Sequence, residues 1–496
     1  MDFLIQGLGA VLSPANMLLV IGGVFLGIVV GAIPGLTATL AISLLVPFTF
    51  SMDPVPAMVL LLSIYCGGIC GGSITAILIR TPGTPGAACT VLDGYPMAQK
   101  GRAGEALGIA TLASGFGGFT SAILMIFLSQ QIASFALSFS GPEYTALAFF
   151  GLAVIFSMTK DLVKGLITGL FGLLIATVGM DLITPYPRFT MGSSQLLTGF
   201  PMLPIVIGLF AVAEVFRMIE MVVRNGKKEE ILKVGRIIPS KATLKKITPT
   251  MIRSSFIGTF VGALPGAGAN VAAFVSYNTA KNLSKTPERF GQGAEEGIAA
   301  AETANNAVTG GALIPMLTLG IPGDAVTAVL LSALTIQGLQ PGPLLFKDSM
   351  NVVYPIFAVM LIANIMLTIQ GLSLAKLVAK IATVSKIYLL PMIAIFAIVG
   401  SFAASGNVFE IWVALGFGVV GYVLEKLGFE VTPIVLAVIL GPIFEKSMRQ
   451  SLIMSQGDWS IFFTRPISAV LIVLGLASII WGLVRQFRGV KKVENI

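Results

Sequence analysis

The sequence predicts an all-α polytopic membrane protein with about 11 transmembrane helices, two re-entrant hairpins and two inverted repeats. First, 55% of the 496 residues are hydrophobic and only 11% are charged, with a mean hydropathy of +0.93, whereas soluble domains are roughly a quarter charged. Second, many apolar stretches reach the length of about 20 residues that a bilayer-spanning helix needs. Third, Pro-Gly pairs interrupt several of these stretches, and the interruptions recur in both halves of the chain.

The first half, residues 1–223, combines regular spans with two broken segments. Residues 17–48 are longer than one span and are interrupted at Pro34-Gly35, which predicts a long broken helix. Residues 55–91 contain four closely spaced glycines and then a Thr-Pro-Gly-Thr-Pro-Gly run at 81–86. We therefore predict a first re-entrant hairpin near residues 55–92. The other spans of this half are predicted near residues 106–128, 143–159, 165–183 and 200–222.

A basic linker at residues 224–251 sets the predicted orientation. Ten Lys and Arg residues lie within residues 217–253 and only three Glu oppose them, a pattern typical of cytoplasmic loops. Counting spans from this loop predicts a periplasmic N-terminus, a cytoplasmic C-terminus, an external Ser193 and a cytoplasmic Gly226. The basic residues within 281–289 are the exception and fall outside. The formal net charge of +8 indicates either this cytoplasmic bias or an anionic partner.

The second half, residues 252–445, contains a mostly apolar stretch at 297–332 that carries several polar side chains. It breaks at Gly310-Gly311 and again at Pro322-Gly323. In lipid, freed backbone groups must be satisfied by protein, water or a ligand. This predicts a second re-entrant hairpin near residues 296–335 that opens to the outside, or alternatively a buried pair of kinked helices. Spans follow near residues 351–372, 388–404, 407–424 and 431–445, and residues 446–496 form a last transmembrane helix with a basic tail.

An internal duplication is visible in two blocks. Residues 25–38 align with residues 256–269 and share the pattern Phe-x-Gly, Gly-Ala and Pro-Gly. In the same order, Gly71 and the Thr-Pro-Gly at 81–83 align with Gly311 and the Ile-Pro-Gly at 321–323. An odd number of predicted crossings separates the blocks, so the two repeats would be inverted, as in many secondary transporters.

The four Pro-Gly breaks predict a shared binding cavity. Helix N-termini present N–H donors that suit carboxylates, and free carbonyls suit sodium. The hydroxyls nearby serve the cavity or merely bond back to helix carbonyls, whereas amides in lipid favour a functional role. The predicted substrate-binding residues are Pro34, Gly35, Thr37, Thr81, Pro82, Gly83, Thr84, Pro265, Gly266, Asn270, Asn305, Asn306, Pro322 and Gly323.

Three residues are predicted candidates for ion coupling, namely Glu302, Thr309 and Asp324. For Asp324, which follows a Pro-Gly break, the alternative is a helix cap. Arg80 either neutralises a substrate carboxylate or extends to the cytoplasmic surface.

No enzymatic activity is expected from the sequence. It has no His, and its three Cys lack the companions of a metal site. A Walker loop is also missing, so we expect no ATP hydrolysis. We expect no cofactor or bound metal and no nucleic-acid partner.

Long motifs resemble a known family. Residues 258–282, the Glu302 to Pro315 stretch and the Leu-Gly-Ile-Pro-Gly at 319–323, together with Gly31 to Gly35 and residues 71–86, are similar to the large membrane subunit of tripartite tricarboxylate transporters, the TctA family. The resemblance covers nearly the whole chain. It implies a bacterial inner-membrane carrier for citrate or other carboxylates, coupled to co-transported sodium or protons. It also implies two protein partners, a small membrane subunit and a periplasmic solute-binding protein, besides the carboxylate and membrane lipid.

We therefore expect secondary-active uptake of di- or tricarboxylates. One alternative is an anion channel, which would need a continuous polar lining rather than polarity at four breaks. The other is an intramembrane enzyme, which would want a His, a metal set or paired acids.

Overall fold

The protein is almost entirely helical in the computed structural model, which describes residues 2–159, 161–224, 234–381, 386–403 and 405–493. The first ten helices are α1 (Asp2–Val11), α2 (Pro14–Gly31), α3 (Ala38–Leu45), α4 (Pro54–Ile79), α5 (Val91–Met97), α6 (Ala103–Ala136), α7 (Gly141–Met158), α8 (Leu162–Ala176), α9 (Met202–Val206) and α10 (Ala213–Arg224). The others are α11 (Lys241–Gly262), α12 (Gly268–Leu283), α13 (Glu295–Leu319), α14 (Ala325–Ile336), α15 (Leu345–Asp348), α16 (Met350–Ile381), α17 (Lys386–Ala403), α18 (Val408–Lys426), α19 (Thr432–Met454), α20 (Ile461–Thr464) and α21 (Pro466–Val493). Two strands, β1 (Gly179–Met180) and β2 (Pro187–Arg188), pair antiparallel.

Eight helical segments of the described chain are long and apolar enough to cross a membrane, which confirms the predicted all-α polytopic membrane class. They are Pro14–Gly31, Pro54–Ile79, Val91–Ala136, Gly141–Met158, Met202–Met221, Met350–Ile381, Val408–Lys426 and Pro466–Gln486. Shorter apolar segments add Ala38–Ser51, Leu162–Ala176, Ala325–Ile336 and Tyr388–Ala403. The predicted number of spans, about 11, stays a prediction.

A central bundle consists of α2, α4, α6, α11, α13 and α16, which pack on one another. Glycine allows the backbones of these helices to come close. A methyl group at Gly31 in α2 would lie 2.1 Å from the carbonyl oxygen of Gly68 in α4. One at Gly310 in α13 would lie 2.6 Å from Ser121 Oγ in α6. Two outer groups flank this bundle, one of α7, α8, α19 and α21 and the other of α10, α17 and α18.

The first and third Pro-Gly breaks are turns at which the chain reverses. Both Gly31 and Ala38, on either side of Pro34-Gly35, lie against Gly68. Likewise α11 and α12 pack together around Pro265-Gly266. Gly35 and Gly266 have φ angles of 95° and 78°, the left-handed region that glycine adopts without a steric penalty.

The second and fourth breaks follow long helices and share one geometry. Arg80 directly follows α4 and Gly320 directly follows α13, and both residues adopt the left-handed conformation. In each case an N–H closes the helix six residues back, from Thr81 to the Thr75 carbonyl at 3.3 Å and from Ile321 to the Pro315 carbonyl at 3.2 Å. The ranges predicted as hairpins, 55–92 and 296–335, thus each hold one long helix, a break and further helix. Their re-entrant placement in a membrane, the inverted relation and the predicted half boundaries stay predictions.

A cluster of charges at one end of the bundle corrects part of the predicted topology. The Glu295 carboxylate at the start of α13 pairs with Arg102, Lys246 and Arg289, each at 2.9 Å. The basic residues within 281–289 were expected outside, at the opposite end of the bundle from Arg102, and the second hairpin was expected to begin at that end. The ion pairs place Arg289 and the start of α13 at the same end as Arg102. Both expectations were therefore wrong. The cause is the chain reversal at Pro265-Gly266, which apolar length alone does not reveal.

The basic linker is described only in part. α11 begins at Lys241, so the last residues of the predicted linker 224–251 are helical. Gly226 and the neighbouring basic residues up to 233, like Lys160, lie outside the described residues. The structure therefore neither supports nor opposes the predicted position of Gly226.

The loop that carries Ser193 is fastened to α19 by ion pairs. Arg188, in β2, contacts Glu445 at 2.6 Å, and Arg449 contacts Asp181 at 2.5 Å. The hydrogen bond from the Arg449 guanidinium holds the pKa of the Asp181 carboxyl well below its usual range. This network gives the loop between α8 and α9 a defined position.

Candidate functional site

The candidate site lies where α4 and α13 cross near their midpoints. The Asn306 Nδ2 group donates to the Cys66 carbonyl at 3.2 Å, which joins the two halves of the chain. Asn306 Oδ1 has no hydrogen-bond partner in the described structure. The Thr309 hydroxyl donates to the Asn306 carbonyl at 2.7 Å, so this ion-coupling candidate bonds within its own helix.

Asp324 occupies the break after α13. Its carboxylate accepts the Thr327 N–H at 2.8 Å and caps α14. It also accepts the Tyr65 hydroxyl, in the middle of α4, at 2.6 Å. The capping role considered from the sequence is therefore present, while a part in ion coupling stays a prediction.

The break after α4 meets α13 at Asn305. A methyl group at Gly86 would lie 2.1 Å from Asn305 Oδ1 and 3.2 Å from the Ala269 Cβ. Neither Asn305 Oδ1 nor Thr84 Oγ1 has a hydrogen-bond partner among the described residues, although both side chains are buried. Buried polar atoms are rarely left unpaired without a ligand, water or ion to complete them.

Glu302 lies one helical turn before Asn305 and is fully enclosed. The Thr90 hydroxyl donates to its Oε1, the Ser114 hydroxyl donates to its Oε2 at 3.1 Å, and Asn305 Nδ2 lies 3.4 Å from Oε2. All three partners are neutral. The ion pairs found in the described parts of the chain include none with Glu302.

Three half-helices, α3, α12 and α14, begin after the first, third and fourth breaks, and they differ at their N-termini. The Thr37 hydroxyl accepts from Leu40 N–H at 3.2 Å and caps α3, and Asp324 caps α14. α12 begins with Gly268, Ala269 and Asn270 and has no side-chain cap. Its first N–H groups remain available with the partial positive charge of a helix start. Asn270 is partly exposed, and its Oδ1 has no described partner.

The structure brings the four breaks into one contiguous region. A methyl group at Gly83 would lie 2.0 Å from the Gly31 carbonyl oxygen, directly before the first break. The Gly266 N–H donates to the Gly323 carbonyl at 2.8 Å, which joins the third break to the fourth. Ala269 adjoins Gly86, as described above. The predicted residues on all four breaks therefore lie together, although Gly35 faces Glu214 of α10.

Two of the predicted groups do not point into this region. The Thr81 hydroxyl donates to the Ile79 carbonyl at 3.3 Å. Arg80 is exposed and lies over the Tyr95 ring, with Cζ 5.9 Å from the ring centroid. Of the two interpretations of Arg80, the structure favours the one in which it extends to the surface.

Sequence reasoning missed four residues that shape the site. Tyr65, Thr90 and Ser114 bind the two acidic candidates. Asp93 is fully buried and accepts the Tyr277 hydroxyl at 2.9 Å and the N–H groups of residues 291, 293 and 294. Only Asp93 carried a signal, as an acid within a helix directly after an apolar broken segment; the other three are common core residues.

The sequence is similar to a known protein family and to two proteins of one bacterium. Residues 17–436 match the family described as "Tripartite tricarboxylate transporter TctA family". A protein of Agrobacterium vitis described as an "Uncharacterized 52.8 kDa protein in TAR-I ttuC' 3'region" is 40% identical over 483 residues, covering 97% of this chain and 96% of that relative. A second, "Uncharacterized protein in TAR-II ttuC' 3'region" from the same organism, is 41% identical over 231 residues, covering 47% of this chain and 96% of that relative. No solved structure matches.

Proposed function

Because the chain belongs to the tripartite tricarboxylate transporter TctA family, we propose that it is the large membrane subunit of a secondary carrier for carboxylates. The substrate class would be di- or tricarboxylates such as citrate. A sodium or proton gradient across the bacterial inner membrane would drive uptake. A family of membrane transporters also favours transport over an enzymatic role for this chain.

The uncapped N-terminus of α12 is the observation that carries this proposal. Of α3, α12 and α14, the half-helices that follow the first, third and fourth breaks, only α12 leaves its first N–H groups without a side-chain cap among the described residues. A carboxylate is the ligand that a helix start accepts best, as Asp324 illustrates at α14. The Asn270 amide belongs to this helix start and the Asn305 amide lies beside it, and each amide can donate a hydrogen bond to a carboxylate through its Nδ2 group.

The enclosure of these groups supports a carrier rather than a channel. Asn305, Thr84 and Glu302 are at most 4% exposed, and Asn305 Oδ1 lies directly against Gly86. A channel needs a continuous open polar lining, whereas a carrier alternately exposes and encloses its site. The contacts at the breaks would have to separate for a substrate to enter, as alternating access requires.

The proposal includes two protein partners. In a tripartite system a periplasmic solute-binding protein would deliver the carboxylate, and a small membrane subunit would pack against the large one. The N-terminus would be periplasmic and the C-terminus cytoplasmic. In the apolar segment Pro466–Gln486 of α21, only 17% of the most apolar stretch is buried. Its exposed apolar surface can therefore contact lipid or that subunit.

Uptake into proteoliposomes tests the proposal. The chain would be reconstituted with its small subunit and given purified binding protein, radiolabelled citrate and an imposed sodium or proton gradient. Accumulation should occur only with a gradient. Asn270→Ala should weaken apparent affinity about 5- to 150-fold, the equivalent of one lost hydrogen bond to a charged group, or roughly 1–3 kcal/mol. Asn282→Ala, at the exposed far end of α12, is the matched control and should behave as wild type.

Two results would contradict the proposal. Uptake that equilibrates but never accumulates under any gradient would indicate a channel. Equal affinity for Asn270→Ala and Asn282→Ala would show that the α12 start does not bind the carboxylate.

A further inference from the structure

Asn305 stands between a buried acid and the unpaired polar atoms of the break after α4. Its Nδ2 lies 3.4 Å from Glu302 Oε2, while its Oδ1 is directed at Gly86. An amide has a donor end and an acceptor end, and rotation by half a turn exchanges them without moving any carbon atom. Whether Asn305 presents a donor or an acceptor to Gly86 therefore depends on whether Glu302 accepts a hydrogen bond from the amide or donates one to it.

Among the described residues, no cation faces Glu302 to fix its charge. From α4 and the segment before α5, Cys70 and Cys89 face it, and both are buried thiols. Asp93, beyond Cys89, is itself occupied by Tyr277 and three N–H groups. α6 contributes Ser114. An enclosed carboxylate without a charged partner costs several kcal/mol, so this group gains from binding a cation.

We propose that Glu302 is the proton-binding group of the carrier, and that Asn305 reports its protonation to the substrate carboxylate by reversing its amide. The inference rests on the proposed function and adds the identity of the coupling ion. With Glu302 ionised, its oxygens only accept hydrogen bonds, so Asn305 turns Nδ2 towards Glu302 and Oδ1 towards the site. An anionic substrate then meets an acceptor and is repelled.

Protonation reverses this arrangement. One proton binds a Glu302 oxygen, and the resulting O–H donates to Asn305 Oδ1. Nδ2 then faces the site next to the α12 start, where it can donate to a substrate carboxylate. Thr90 and Ser114 each bear a hydroxyl that can donate or accept, so both remain paired in either state. Release of the proton to the cytoplasm restores the original amide orientation and expels the substrate.

Substrate and proton therefore bind with positive cooperativity, and linkage requires each to raise the affinity for the other. Binding of a carboxylate to the ionised protein must take up about one proton from the buffer. Glu302→Gln has an amide that can donate permanently to Asn305 Oδ1, and so it should bind the substrate without that proton.

Calorimetry of the purified complex measures this directly. Citrate and succinate are titrated into wild type at about pH 8.5, well above ordinary carboxyl pKa values, in buffers of different ionisation enthalpy. The dependence of the heat on the buffer gives the number of protons taken up. Wild type should take up about one proton per substrate molecule bound, and Glu302→Gln should take up about one proton fewer. Glu296→Gln, whose carboxylate pairs with Lys246 at 2.9 Å, is the control and should match wild type.

The outcomes separate the two proposals. Binding by wild type without proton uptake overturns the proton site whether or not the variant folds, because both ligands are already ionised. Equal uptake by wild type and Glu302→Gln, a folded Glu302→Gln that does not bind, or affinity that follows sodium without proton uptake also overturns it. Folded wild type that binds neither ligand would instead contradict the carboxylate-carrier function itself.

Discussion

The Tyr65 hydroxyl donates a hydrogen bond of 2.6 Å to the Asp324 carboxylate and thereby fastens the break after α13 to the middle of α4. The hydrogen bonds that close α4 and α13 correspond to each other with an offset of 240 residues, so Thr75 aligns with Pro315 and Thr81 with Ile321. With that offset Tyr65 corresponds to Asn305, and Thr84 corresponds to Asp324. Tyr65 is hydrogen-bonded to the protein's own carboxylate, Asp324, whereas Asn305 Oδ1 and Thr84 Oγ1, at the corresponding positions, have no partner among the described residues. The break after α4 thus leaves an amide and a hydroxyl that a ligand from outside the protein can engage.

Removing the tyrosine hydroxyl should destabilise the protein. Tyr65→Phe should lower the free energy of unfolding by about 1–3 kcal/mol, because the partly buried Asp324 carboxylate loses a donor that nothing replaces. Thermal unfolding of the purified protein in detergent measures the effect. Tyr388→Phe, 71% exposed on α17, is the control and should leave the midpoint unchanged. If Tyr65→Phe also unfolds at the wild-type temperature, the bond does not hold the two halves together.

Added volume at Gly86 should impair transport. The new methyl group of Gly86→Ala would meet Asn305 Oδ1 at 2.1 Å, so the amide must move, at a cost of about 1–3 kcal/mol. We expect the rate of citrate uptake per membrane-inserted protein to fall. Gly22→Ala, where a methyl group meets nothing within 4 Å, should retain wild-type uptake. Normal uptake by Gly86→Ala would show that Asn305 is not needed in its present position.

Thiol labelling tests the orientation. With Cys66, Cys70 and Cys89 replaced, Ser193→Cys should react with an impermeant reagent in intact cells, because its loop is predicted to be periplasmic. Lys285→Cys should react only after permeabilisation, because its loop leads to Arg289 in the cluster with Arg102 and Lys246. Labelling of Lys285→Cys from outside would reverse the assignment of that end.

The sequence alone was sufficient for the class, the family and the four breaks. Apolar length predicts α4 and α16, and Pro-Gly pairs mark every place where the chain leaves a helix near the site. Local patterns failed where the chain turns back. A reversal at Pro265-Gly266 and a continuing kinked helix have the same local sequence, so the side on which Arg289 lies could not be deduced.

The partners of the acidic groups were equally hidden from the sequence. Tyr65 and Asp324 are 259 residues apart, and Thr90 and Glu302 are 212 apart. Such contacts depend on the rotation and depth of whole helices relative to one another, which amphipathic patterns do not define when a helix is apolar on every side. The lack of a cap on α12 could not be recognised before its first residue was known.

Substrate counterflow tests most directly whether this chain is a carrier whose site includes Asn305. Proteoliposomes containing the complex and preloaded with unlabelled citrate are diluted into traces of labelled citrate, with binding protein present and no imposed ion gradient. A carrier exchanges internal unlabelled citrate for external labelled citrate through one binding site. The labelled citrate therefore becomes transiently more concentrated inside than outside, whereas a channel only equilibrates it. We expect this overshoot for wild type and for Asn282→Ala, and its loss in Asn305→Ala at equal protein abundance. Equilibration without overshoot in wild type, or an undiminished overshoot in Asn305→Ala, would contradict the account.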